Sequence, residues 1–136
     1  MNRDEVIAYV KDVHFGYLAT VGTDGAPRVR PIGIDTVYGD HLYFFTFGTT
    51  RKVAEIDNDR RVEVVWCRLQ DQSQVRIRGE MTVEEDDAIQ DRFKKDNPMV
   101  ARILPEGAEH LFRLYKLRPE AVEMAQGMVP YTKVDW

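Results

Sequence analysis

A series of short β-branched and aromatic runs, each closed by turn chemistry, constrains this chain more than any other feature. Residues 17–21 lead into Thr23-Asp24-Gly25, where glycine is free to take a positive φ. Residues 29–35 return antiparallel. Pro31 has no N–H to donate, which places that run at a sheet edge or on a bulge. Tyr38-Gly39-Asp40 turns the chain into 41–47, and further runs cover 62–67, 74–83 and 111–117, with 121–124 able to extend the last past Pro119. The run 74–83 alternates cleanly: Val75, Ile77, Met81 and Val83 on one face, Gln74, Arg76, Arg78 and Glu80 on the other. Six strands punctuated in this way predict a small antiparallel barrel.

Helical periodicity is confined to short pieces. Val6, Ile7, Val10 and Val13 share a face over 3–13, and residues 49–56 read as a helix opening on Thr49 and Thr50, whose hydroxyls can cap it. Thr82-Val83-Glu84-Glu85 reads as a capping box for a helix carrying Ile89 and Phe93, and Pro98 and Pro105 bracket another short piece. The order β-β-β-α-β-β-α-β disfavours βαβ repeats, and no glycine-rich nucleotide loop follows a strand. Residues 41–47 are apolar on both faces, Leu42 and Phe44 on one, Tyr43, Phe45 and Phe47 on the other. A strand with one wet face would alternate, so a helix, a partner subunit or an aromatic ligand must cover the second face.

Composition narrows the function classes. The 136 residues suit one domain, spanning 1–136 with 127–136 as a C-terminal tail. Nineteen Lys and Arg against 23 Asp and Glu leave a net charge of −4, which disfavours a dedicated duplex-DNA binder. A single cysteine, Cys67, excludes an internal disulfide framework and suits a reducing cytoplasm. The charged N-terminus is unlike a signal peptide, and no apolar run approaches the roughly 20 residues that span a bilayer. The expectation is a soluble cytoplasmic protein with no membrane or nucleic-acid partner.

Three stretches carry possible chemistry. Phe44-Phe45-Thr46-Phe47-Gly48-Thr49-Thr50-Arg51-Lys52 ends a strand and opens a helix, placing hydroxyls and two cations at a helix N-terminus, the parts of a phosphate cradle; the plain alternative is a cap followed by solvated charges. In Pro27-Arg28-Val29-Arg30-Pro31 the two arginines share a side that continues into Ile32 and Ile34, suiting a ligand with a charged end and a flat apolar end, or simply an edge strand guarded by charge. Gln74 offers both donor and acceptor to a heterocycle edge, or is a surface glutamine. His14, His41 and His110 show no metal spacing and read as turn or surface histidines; Cys67 reads as a buried or half-buried strand residue. Glu84 to Asp87 suit the first turn of a helix, and Tyr131 and Trp136 lie on a tail that either folds over a neighbouring subunit or frays.

Taken in order, the N-terminal helix, Tyr17-Leu18-Ala19-Thr20-Val21, Asp24-Gly25-Ala26-Pro27, Arg30-Pro31, the strand 42–46, Thr50-Arg51-Lys52, Asn58-Asp59-Arg60-Arg61-Val62 and Gln74-Val75 ahead of Gly79 resemble the FMN-binding split-barrel family related to pyridoxamine 5′-phosphate oxidase. The resemblance runs over residues 4–124. It implies a mainly β, α+β fold, a six-stranded antiparallel Greek-key split barrel with short flanking helices. It implies FMN as cofactor, with the phosphate held by Arg30, Thr50, Arg51 and Lys52. Thr46 and the segment around Arg28, Val29, Arg30 and Pro31 would line the isoalloxazine, and Gln74 would sit near it. It further implies a homodimer with flavin at the interface, which would cover the doubly apolar strand. The chain stops at Trp136 without the longer C-terminal part that supplies substrate-phosphate contacts in the true oxidase, so pyridoxamine phosphate oxidation is not expected.

The function expected is that of a small-molecule oxidoreductase or flavin reductase, fed by NAD(P)H or a small substrate. No residue is assigned to catalysis and none to a metal. The alternatives are a non-catalytic flavin- or haem-binding carrier or sensor, and a single-strand nucleic-acid barrel using Arg28, Arg30, Arg76 and Arg78, which the acidic balance disfavours.

Overall fold

The structure is a computed structural model and describes residues 1–136. Helix α1 (Arg3–Val13) opens on a capping box in which Asn2 accepts from the Glu5 amide and Glu5 accepts from the Asn2 amide, and it buries Val6, Tyr9 and Val10. The chain continues through β1 (Phe15–Val21), β2 (Pro27–Gly33), β3 (Thr36–Tyr38), β4 (His41–Phe47), α2 (Arg51–Asn58), β5 (Arg61–Arg68), β6 (Ser73–Val83), α3 (Asp87–Asp96), α4 (Met99–Ile103), β7 (Phe112–Gln126) and β8 (Thr132–Val134). No helix is long and apolar enough to cross a membrane.

Every strand pairing is antiparallel, in the order β2-β1-β5-β6-β7-β4-β3, with β8 added to β7. Inward side chains from both ends of this order meet in one cluster: Leu18 of β1, Ile32 of β2, Phe44 of β4, Trp66 of β5, Ile77 of β6 and Leu117 of β7. A flat sheet could not bring its two ends into one core, so the sheet is rolled into the expected split barrel. β2 is an edge strand paired only with β1, as Pro31 requires.

The strand count is eight rather than six. β3 and β8 are three-residue strands, too short to show a period in sequence. The runs 111–117 and 121–124 are one strand, β7, because Pro119 lies opposite Gly79 where the β6–β7 register shifts. A Cβ on Gly79 would stand 2.0 Å from the Arg118 carbonyl oxygen, so only glycine allows this approach.

Three further expectations are corrected, and for β4 one of the three alternatives is selected. Thr82 and Val83 do not begin a helix. They finish β6, paired with Lys116 and Tyr115, and Asp86 caps α3 instead by accepting from the Ala88 and Ile89 amides. Ladder bonds outweigh a local capping pattern, and Glu84 is consequently buried, accepting from the Tyr43 hydroxyl. The second face of β4 is covered by the chain's own helices: Tyr43 and Phe45 pack with Phe93 of α3 and Val100 of α4. The doubly apolar run therefore needs neither a partner nor a ligand to cover it. Cys67 is exposed, because Val62, Val64 and Trp66 take the inward positions of β5 and alternation turns Cys67 outward. The tail neither frays nor leaves the barrel: β8 pairs with β7, and the Trp136 indole N–H donates to the Asp40 carbonyl.

Candidate functional site

Alternation on β2 turns Arg28, Arg30 and Ile32 to one side and leaves Val29 and Pro31 exposed on the other. Arg30 lies opposite Leu18 in the β1 ladder and reaches over it toward α2. One guanidinium nitrogen donates to the Thr20 hydroxyl at 2.8 Å and the Leu18 carbonyl at 3.2 Å; the other meets the Glu55 carboxylate. Glu55 is 3% exposed and also accepts from Thr20 at 2.9 Å. It approaches Arg51 at 3.7 Å, but Arg51 is 78% exposed and its share of the interaction is screened by water.

Lys52 completes the group without joining it. It is half-buried and makes no ion pair, and burial, followed by the nearby Arg30 charge, holds its ammonium below the ordinary lysine value. Arg30 and Arg51 thus approach one carboxylate, and Lys52 stands beside Arg30. The start of α2 adds donors. The Thr50 hydroxyl donates to the Phe47 carbonyl at 3.1 Å instead of capping the first turn, and it lies 3.4 Å from the Thr46 hydroxyl. The Arg51 and Lys52 amides find no acceptor. Two free amides at the helix N-terminus, two hydroxyls and surplus cationic charge form a patch whose chemistry suits an anion with several oxygens, such as a phosphate monoester.

Arg28 is held on its own hairpin, donating to Asp24 at 2.9 Å and to the Pro27 carbonyl at 3.1 Å. Gln74 lies on the outer face of β6, where its side-chain oxygen accepts from Arg76 and from the Tyr131 hydroxyl, each at 3.0 Å; Arg76 also meets Glu63 at 3.4 Å. Within one chain the structure therefore brings together Arg30, Thr46, Thr50, Arg51 and Lys52, keeps Val29 and Pro31 on the exposed side of the same strand, and leaves Gln74 in a separate group.

Sequence reasoning missed two participants. Glu55 sits four residues after Arg51 and between the buried Val53 and Ile56, a spacing that marks it as an acid on the inner face of a helix. His14 and Asp35 form the second miss: the imidazole Nδ1 lies 2.7 Å from the Asp35 carboxylate, both half-buried, and nothing in the sequence connects residues so far apart. They border a cavity under β2, β4, α3 and α4. Tyr43, in its wall, has its phenol pushed up to about 12 by burial and by the Glu84 carboxylate it donates to.

Residues 3–126 match the family described as pyridoxamine 5′-phosphate oxidase. The chain belongs to that family. No curated protein matches it in sequence. Among solved structures, it resembles a NimC/NimA family protein from Clostridium acetobutylicum with a TM-score of 0.81 at 17% identity, covering 96% of this chain and 89% of that one. It also resembles a pyridoxamine 5′-phosphate oxidase-related, FMN-binding protein from Nostoc punctiforme, with a TM-score of 0.69 at 22% identity over 96% and 88% of the two chains. A haem-binding protein from Mycobacterium smegmatis superposes with a TM-score of 0.74 at 15% identity, over 93% of this chain and 55% of that one. At these identities the likeness establishes the fold alone, and the neighbours include both flavin and haem binders.

Proposed function

We propose that this chain is an FMN-binding flavoprotein that works as a small-molecule oxidoreductase or flavin reductase. The carrying observation is the opening of α2, where the amides of Arg51 and Lys52 have no acceptor and the Lys52 ammonium, half-buried beside Arg30, has no carboxylate. A phosphate there would give both amides an acceptor and offset the like-charge contact between Lys52 and Arg30. The residues fit the phosphate end of FMN. Lys52, Thr50 and the two amides would hold it, Arg51 would close over it from solvent, and Arg30 would lend charge while Glu55 and Thr20 fix its orientation. Thr46 and the main chain of Val29 to Pro31 would border the ring.

Bound there, the isoalloxazine would supply hydride and electron transfer, and the protein would supply binding, orientation and tuning. Gln74 shares no contact with the cradle in one chain, so its part in holding the ring belongs to a homodimer. Phe15, Tyr17, Val29 and Pro31 support that assembly: they form a continuous apolar face on β1 and β2, with Tyr17 opposite Pro31, and it is open to solvent. An exposed Cys67 suits a reducing compartment such as the cytoplasm.

The test is an absorption and fluorescence titration of the purified protein with FMN, followed by reduction with NADH or NADPH. Stoichiometric uptake with quenched fluorescence, and bleaching of the bound flavin by a pyridine nucleotide, are the expected results. Uptake without any turnover would leave a carrier or sensor. A Soret band in the protein as purified, with no FMN uptake, would move the site to haem.

A further inference from the structure

We propose that the cavity beside His14 is a binding site for an uncharged single-ring hydroxyaromatic molecule, whose hydroxyl donates to the imidazole Nε2. The proposal does not rest on the reading of the α2 cradle and needs no flavin.

The backbone points to the site first. His14 holds φ 66° and ψ −64°, a conformation that costs any residue with a side chain, and it is fixed there from both sides: its amide donates to the Val10 carbonyl and its carbonyl accepts from the Ile34 amide. The strain turns the imidazole over Gly33. That glycine has no unusual φ, so its reason is space: a Cβ there would lie 3.2 Å from the His14 Nε2. Phe15 packs edge-on against the ring with centroids 4.5 Å apart, and Asp35 receives Nδ1 at 2.7 Å. In the neutral imidazole whose Nδ1–H donates to this carboxylate, Nε2 keeps its lone pair and is an acceptor.

The cavity supplies the rest. Its volume is about 130 Å³ and its walls include Ile32, Tyr43, Phe45, Phe93 and Val100. Apolar cavities of about 150 Å³ hold a benzene ring. The other polar groups of the lining are already occupied. Thr36 and Asn97 bond each other, the Asn97 amide also donates to the Phe93 carbonyl, and the Tyr43 hydroxyl donates to Glu84. What remains without a partner is the His14 Nε2, an acceptor in that neutral tautomer, and the second Asp35 oxygen. No lysine or arginine lines the cavity, and Asp35 does, so phosphorylated and carboxylated rings are disfavoured. An aromatic ring bearing one O–H matches these walls, this volume and this polarity. Phe15 and Met99, the exposed members of the lining, border the opening.

Isothermal titration of the purified full chain with phenol, fluorobenzene and benzoate tests the site. Fluorobenzene has the same shape without the donor, and benzoate carries the disfavoured charge. Phenol should bind about tenfold or more tightly than either, as expected for a hydrogen bond made in a desolvated site. Met99→Trp, which fills the mouth, should abolish phenol binding while circular dichroism stays unchanged. His14→Phe should bring phenol and fluorobenzene to equal affinity; should that variant not fold, Gly33→Ala, which displaces the imidazole, should do the same. Equal affinity of phenol and fluorobenzene for the native protein, no phenol binding at all, or undiminished phenol binding by Met99→Trp overturns the proposal.

Discussion

Glu55 on α2 and Glu63 on β5 each receive an arginine, and the two pairs sit in opposite surroundings. Glu55 is 3% exposed and Arg30 19%, behind a wall of β1 and α2; Glu63 and Arg76 are 42% and 35% exposed on the outer face of the barrel. Unit charges about 4 Å apart interact by roughly 1 kcal/mol in bulk water and about 4 kcal/mol at an effective dielectric of 20. The chemistry of the partners is the same, so position decides the outcome. Outside, water screens the pair and Tyr131 and Gln74 fill the remaining hydrogen bonds, leaving a satisfied surface network. Inside, Glu55 organises Arg30 but cannot also neutralise Lys52. The buried group is left with surplus positive charge at a helix N-terminus, and that surplus gives it affinity for an anion.

Breaking the buried group should have the largest effect. Glu55→Ala leaves Arg30 without its carboxylate in a largely dry setting and should cost about 3 kcal/mol of stability, read from the midpoint shift in urea unfolding. A loss no greater than that of a surface pair would mean water reaches Arg30 freely. Next, Lys52→Ala should weaken FMN binding by about 1.5–3 kcal/mol in a fluorescence titration while leaving the unliganded fold no less stable than before. Equal affinity in both proteins would remove Lys52 from the cradle.

The same lysine gives a pH dependence of defined sign. Its ammonium is held below the ordinary value of 10.5, so the folded chain bears a penalty that is fully present below the folded pKa and is relieved as pH rises through the window just under 10.5. Relative to Lys52→Met, the native protein without ligand should therefore gain stability across that window, measured by urea unfolding at a series of pH values. A constant difference would count against a desolvated lysine.

On the outer face, Arg76→Ala should cost about 0.5 kcal/mol and at most 1 kcal/mol, since the pair it breaks is half exposed. A larger loss would show that Tyr131 and the tail depend on this network. The smallest effect belongs to Asp59, whose carboxyl is lowered to about 2 by hydrogen bonds from the Arg61 side chain and amide on an exposed turn. Its contribution is present above the usual carboxylate range and is lost as pH falls toward 2. Asp59→Asn should flatten the acid limb of the stability curve only slightly, as followed by acid titration in fixed urea.

Legibility in the sequence followed the range of the interactions. Helix α1, the 74–83 strand and the edge position of Pro31 could be read because each depends on periodicity or on one residue's missing N–H. The Thr82 capping pattern misled because it is as local as those signals, and a ladder to β7, more than thirty residues on, overrode it. Cys67 was misplaced for want of the strand's phase, which Trp66 sets by filling the core. In the cradle, the hydroxyls and cations after β4 were visible as a motif, whereas the acid that organises them was not, because Glu55 reaches Thr20 and Arg30 only once α2 packs on β1.

The sequence by itself determined the barrel class, the family and the positions of the cationic segment, since turn chemistry, strand alternation and a contiguous motif are written in neighbouring residues. Tertiary structure alone decided which charges are buried, what covers the second face of β4, and that His14 meets Asp35 across 21 residues. Those outcomes depend on how the sheet rolls and on which backbone groups the rolled sheet leaves unpaired, and no local pattern encodes either.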